Sequence, residues 1–225
     1  MAVCYPAIKA GLPHAPPLRF GGLRTLIGGI FLLLIAILTK RPVIPGTRLI
    51  LWIVPLAIVS TSLTYAFMFS SPAFIDAGVA SVLGNTQPLF IAGFAVLVLG
   101  EMMSRTKLAA LSLGFLGVVI LTAPAMSDTN PVNLTGALLA LGTSASAALA
   151  SVWMKWLRPR SCLLALTGWQ LSVGGLILLA CSAIWEPNSA VRWSGSLVAL
   201  LMVLAVFGTA LATLLWYWCL QHREA

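Results

Sequence analysis

The chain is predicted to be an all-α, polytopic transmembrane helix bundle built from inverted five-helix repeats, the second of them incomplete. Three observations lead there. Hydrophobic residues make up 60% of the 225 residues and charged residues only 8%, where soluble domains carry about a quarter charged, and the mean hydropathy is +1.03. Seven apolar stretches are each long enough to cross a bilayer. Finally, Lys9, Arg24 and the pair Gly28-Gly29 recur 146 residues later as Lys155, Gln170 and Gly174-Gly175, which marks an internal duplication.

A hydrocarbon core of about 30 Å needs about 20 apolar residues in a helix. Residues 1–12 are too short to cross and read as the second half of a helix. The crossing stretches then run roughly over 20–39, 49–70, 77–99, 108–125, 134–155, 162–184 and 195–219. Breakers mark the joins at Pro13, Pro16 and Pro17, Pro42 to Gly46, Ser71-Pro72, Ser127 to Pro131, Pro159 and Glu186-Pro187. Joins this short leave no room for a soluble domain.

Basic residues occupy every second junction: Lys40, Arg41 and Arg48; Arg105 and Lys107; Lys155, Arg158 and Arg160; Arg223. The alternate junctions hold Arg19, Asp76, Asp128, Glu186 and Arg192, so the first set is expected on the cytoplasmic side. With the half-helix counted first, the copies begin five spans apart. Five is odd, so the second copy enters the membrane upside down. The first repeat is expected over residues 1–126 with a partial first helix, and the second over 127–225 with three helices only.

Composition also excludes. The net charge of +8 is spread through short loops that orient helices, not gathered on a soluble face that would read nucleic acid. Cys4, Cys162, Cys181 and Cys219 lack metal-ligand spacing and read as small core residues. No cleavable signal peptide is expected at Val3 to Pro6. A phosphate-binding glycine loop, a metal cluster and a glycine-flanked serine nucleophile are all missing, and His14 and His222 stand in a loop and near the C-terminus. The expectation is a non-enzyme that needs no cofactor and no metal. All five acidic residues fall at junctions or in the tail, so no proton-coupling carboxylate is visible within a span.

The stretch from Ala77 to Leu99 is interrupted by Gly84, Asn85, Thr86, Gln87 and Pro88. Proline cannot donate to the carbonyl four residues back, Gly84, and its ring forces a kink near the bilayer midplane. Two readings stand: a kinked helix lining a solute path with Asn85 and Gln87 as polar contacts, or a structural kink held by interhelical hydrogen bonds. Lys9 and Arg24 lie inside the apolar profile, where a charge must face protein or water. They bind an anionic group, or they snorkel or pair with backbone carbonyls. Gln170 in place of Arg24 excludes a role that needs charge in both copies.

Gly142, Ser146 and Ala150 form a small-residue stripe suited to close helix packing. Trp216 to Trp218 read as an interfacial belt or as an aromatic wall for flat or cationic solutes, and Tyr5 and Tyr65 are similar candidates. Glu101 is expected to pair with Arg105.

Together the residues Tyr5 through Lys9, Pro17-Leu18, Arg24, Gln87-Pro88, Gly100-Glu101, Gly114 and Gly117, and Thr167 to Gln170, in this order, resemble the EamA-type permeases of the drug/metabolite transporter superfamily. The resemblance implies two five-helix repeats around a central cavity, cytoplasmic termini, and movement of small metabolites, amino acids or amphipathic drugs across a bacterial inner membrane as a multi-pass protein. Its partners would be a small-molecule solute and the lipid bilayer, with no nucleic acid. Such permeases have ten helices, so truncation is expected, or pairing with a second copy as a homo-oligomer to complete the missing ones. A non-transporting scaffold or an inactive permease fragment is the alternative reading.

Overall fold

A computed structural model describes residues 4–44, 47–99, 109, 111–114, 116–117, 120, 133–157, 163–187, 191–212 and 215. Regular structure among these residues is helical. Five helices are long and apolar enough to cross a membrane: Pro17–Leu38, Leu49–Ala73, Ala77–Leu97, Leu134–Leu157 and Leu163–Trp185. A shorter apolar helix covers Gly195–Leu211. These match the apolar stretches at 20–39, 49–70, 77–99, 134–155, 162–184 and the first part of 195–219. Most of the stretch at 108–125 lies outside the described residues.

In chain order the elements are α1 (Cys4–Gly11), α2 (Pro17–Leu38), α3 (Thr47–Ala57) running into a π-helical segment (Ile58–Leu63), and α4 (Thr64–Ser70). Next come α5 (Ala77–Gly84), α6 (Gln87–Leu99), α7 (Leu134–Leu157) and α8 (Leu163–Trp185). Last is α9 (Gly195–Met202), which runs into a second π-helical segment (Val203–Leu211).

Local chemistry sets the ends of α2. Pro17 takes the first helical position, where its missing N–H costs nothing. Glu186, just past α8, accepts from the backbone N–H of Leu18 (3.1 Å) and Arg19 (3.3 Å), so a carboxylate caps the positive end of the helix. Ser182 and Arg19 hold that carboxylate in place: Ser182 Oγ donates to Glu186 Oε2 (2.7 Å) and Arg19 Nε donates to Ser182 Oγ (3.2 Å). At the other end Lys40 adopts φ 52°, and its N–H and that of Arg41 return to the carbonyls of Ile37 and Ala36. This is the left-handed C-terminal turn that usually takes glycine.

The chain forms two compact units: Met1–Ala10 with Leu63–Leu157, and Gly11–Ser62 with Arg158–Ala225. Each draws helices from both halves of the sequence. In the first unit α7 is the spine. Phe74 and Ile75 pack on Gly136, Phe67 packs on Gly142, and Thr64 Oγ1 donates to Ser146 Oγ (3.0 Å). The small-residue stripe of α7 is therefore a packing face, as the spacing suggested.

In the second unit α2 and α8 pack antiparallel, backbone against backbone. A β-carbon built on Gly22 would lie 2.9 Å from Leu179 Cγ, and one on Gly168 would lie 2.9 Å from Leu33 Cγ. One on Gly29 would meet the backbone N of Ser172 (2.6 Å), and one on Gly175 that of Leu26 (2.8 Å). Each pair of contacts becomes the other when 146 is added to the α2 residue and subtracted from the α8 residue. The same relation carries burial: Arg24, Thr25, Gly28, Gly29, Leu32 and Ala36 are buried in α2, and Gln170, Leu171, Gly174, Gly175, Leu178 and Ser182 in α8.

The relation extends to the π-helical segments. Gly28 packs on Thr209 and the carbonyl of Ala205, and Gly174 packs on Thr61 and the carbonyl of Ala57. Here the matching residues are 148 apart, because the chain from Gly174 to Thr209 is two residues longer than that from Gly28 to Thr61. Pro55 precedes the first π-segment and Val203 stands at the matching place, so proline is not the shared cause. The common feature is a threonine seated on a glycine.

Valine at Gly22 or Gly168 is expected to force α2 and α8 apart and to cost about 1–3 kcal/mol. Thermal unfolding in detergent would read this as a lower Tm. Gly78→Ala, where nothing lies within 4 Å, should be neutral or slightly stabilising, and equal melting of all three variants would contradict the packing argument.

Candidate functional site

The helix expected to kink at Pro88 is broken outright. α5 ends at Gly84, Asn85 leaves helical geometry (φ −99°, ψ 9°), and α6 begins afresh at Gln87. Pro88 thus falls in the first turn of a new helix, where it disturbs nothing. At the break the Leu83 carbonyl gains partners from outside the helix ladder. It accepts from Thr86 N (3.2 Å), Thr86 Oγ1 (2.7 Å) and, across from α7, Ser144 Oγ (2.8 Å). Neighbouring hydroxyls therefore make the break tolerable in lipid.

The two amides of the break are engaged differently. Asn85 is exposed and its Nδ2 donates to Ser81 O (2.6 Å), whereas Gln87 Nε2 donates to Ser151 Oγ on α7 (3.2 Å). Tyr5 comes to the same place from α1. Its fully buried ring sets the hydroxyl against Gly84, where any β-carbon would collide with it, and beside Thr143. Tyr5, Thr86, Gln87, Thr143, Ser144 and Ser151 thus surround one mid-span interruption with uncharged polar groups, all within the first unit.

Both basic residues of the apolar profile have partners within the protein. Lys9 Nζ is paired with Asp76 Oδ1 at 2.8 Å, so its charge is met by a carboxylate. The hydrogen bond from Lys9, and secondarily its charge, holds the Asp76 carboxyl below its ordinary value of 3.8. Both partners are exposed, and such pairs contribute little stability. Arg24, in the second unit, is buried and faces protein: Nε donates to Thr209 Oγ1 (3.2 Å) and Nη2 to Gly208 O (3.4 Å).

Tyr65 is half-buried and stacks on Phe69 with ring centroids 6.3 Å apart. Trp216, Glu101 and Arg105 lie outside the described residues. Cys4 and Cys181 form no disulfide, and no group of three or more histidine, cysteine or acidic residues able to hold a metal ion occurs among the described residues.

Sequence reading missed Ser144, Ser151, Thr61 and Thr209. The first two are small hydroxyls lost among alanines. The threonines become visible only when the third helices are aligned with a two-residue offset.

Long apolar helices, one of them broken at mid-span and lined by hydroxyls, define a polytopic integral membrane protein of the transporter class. The chain belongs to the EamA-like transporter family, whose model matches residues 1–123 and again 134–225. It is 34% identical over 227 residues to the uncharacterized transporter YvbV of Bacillus subtilis, covering 99% of this chain and 72% of that protein. It is 28% identical over 207 residues to protein PecM of Dickeya dadantii (92% and 67% covered). It is 26% identical over 215 residues to a probable amino-acid metabolite efflux pump of Salmonella typhimurium (93% and 69% covered). The family and these names point to a transporter and not to an enzyme.

Gly84→Ala is expected to push the Tyr5 hydroxyl out of its seat and destabilise the protein by about 1–3 kcal/mol. Tyr5→Phe in the same chain removes the atom that is struck and should recover part of the lost Tm. Purely additive losses in this double mutant would show that the two residues do not share the contact.

Proposed function

We propose that the chain is a secondary transporter of small organic metabolites or drugs, of amino-acid-like or amphipathic character, that works by alternating access. Its two inverted repeats are residues 1–126 and 127–225. Membership of a transporter family supports this reading, as does the exchange relation between the contacts of α2 and α8. The single observation that carries it is the interruption at Asn85-Thr86, because broken helices in membranes line aqueous cavities or binding sites. The amino-acid character follows the name of the Salmonella relative.

In this reading Asn85, exposed at the break, and Gln87, within reach of Ser151, are the polar contacts for the solute. Tyr5 and Tyr65 supply aromatic surface, and Trp216 is a further candidate. Arg24 acts through the packing of its own unit, and Lys9 through its ion pair with Asp76.

The expected outcome for Asn85→Leu combined with Gln87→Leu is loss of at least about tenfold in flux, equivalent to about 1.4 kcal/mol. Proteoliposomes assayed for counterflow with a panel of radiolabelled amino acids provide the measurement, with Gly78→Ala as the folded control. Undiminished flux in the double mutant would remove both amides from the solute path.

A further inference from the structure

The exchange relation within the second unit places two equivalent sites in one frame. In the first, Arg24 stands one turn before Gly28, Gly28 receives Thr209, and the guanidinium donates to Thr209 Oγ1 and Gly208 O. In the second, Gln170 stands one turn before Gly174, and Gly174 receives Thr61. Residues four apart share a helix face, and the 148-residue offset makes Thr61 Oγ1 and Ser60 O the counterparts of Thr209 Oγ1 and Gly208 O. The acceptors recur, but the cation they serve does not.

Gln170 is only 8% exposed, and its Oε1 has no hydrogen-bond partner among the described residues. Oε1 is as many bonds from Cα as Nε of Arg24. The outer part of the guanidinium therefore has no covalent counterpart on Gln170. Thr61 is fully buried, with its hydroxyl 3.4 Å from Ser60 Oγ, and Ser62 Oγ donates to Gly174 O (3.2 Å), which ties the π-helical segment to α8 at this level.

We propose that Gln170 Oε1, Thr61 Oγ1 and Ser60 O form a binding site for a monovalent cation, sodium in the first instance, in the place that Arg24 fills in the other copy. A buried carbonyl without a donor costs about 1–3 kcal/mol, and a bound cation relieves it. Neutral hard oxygens suit an alkali ion. A divalent ion would bring a second charge with no carboxylate to balance it. A π-helical turn displaces carbonyls from the usual hydrogen-bond register, as unwound transporter helices do where they coordinate sodium. Each copy then carries one positive charge at this level, tethered in one and exchangeable in the other. The site stands apart from the identity of the solute.

The test uses the purified full chain in detergent, with thermal unfolding in sodium chloride and in choline chloride at equal ionic strength, and direct binding of radioactive sodium. Sodium, but not choline, is expected to raise Tm saturably, as a ligand bound to the native state must. Gln170→Arg supplies the tethered cation, so it should keep the higher Tm in choline and no longer bind radioactive sodium. Thr61→Val should weaken sodium binding by at least about tenfold, and it decides the matter if the arginine variant does not fold. Equal melting of the wild type in both salts without saturable sodium binding, the behaviour of a site filled by water, would overturn the proposal. So would undiminished binding in Gln170→Arg or in Thr61→Val.

Discussion

The second unit depends on two helix backbones brought to touching distance. Gly29 and Gly175 bring backbone against backbone between α2 and α8, and Gly22 and Gly168 seat the side chains of Leu179 and Leu33. Lipid is as apolar as leucine, so helices in a bilayer gain little from hiding apolar surface and much from dense contact. Gly28 and Gly174, on the same two helices, then receive Thr209 and Thr61 and so set where the π-helical segments dock. The glycine pair that repeats in the sequence is therefore divided in labour: its second member packs the helix pair, and its first member seats the next helix.

Satisfaction of polar groups is the second constraint. An unpaired carbonyl in hydrocarbon costs several kcal/mol, and every irregularity described here has a hydroxyl beside it. Ser144 and Thr86 serve the Leu83 carbonyl, Ser62 serves that of Gly174, and Thr209 accepts from Arg24. In this chain serines and threonines on neighbouring helices supply the partners that its helix break requires. Glu186 applies the same logic at the membrane edge by capping a helix distant in sequence.

The broken helix shows how far residue pattern reaches. Gly84 to Pro88 announced an interruption, but the expected kink assumed one continuous helix with a single missing hydrogen bond. The chain instead ends one helix and begins another, which moves Pro88 to a harmless first turn and gives the Leu83 carbonyl hydroxyl donors. Local sequence cannot distinguish these outcomes, because the choice depends on whether a donor such as Ser144 stands opposite. Lys9 gives the complementary case: its helix placed a charge near the membrane edge, and only the fold brought Asp76 within 2.8 Å of it.

By itself the sequence determined the membrane-crossing helical class, the limits of the long apolar helices, and the correspondence of α2 with α8. Hydrophobic length and a fixed repeat spacing are properties of the chain, and burying apolar segments in lipid needs no knowledge of neighbours. The tertiary structure decided which polar groups meet: Tyr5 with Gly84, Gln87 with Ser151, Arg24 with Thr209. It also decided that compact units cross the boundary between the sequence copies. Those outcomes follow from short-range contacts between helices far apart in sequence, where a methyl group more or less determines whether two backbones can touch.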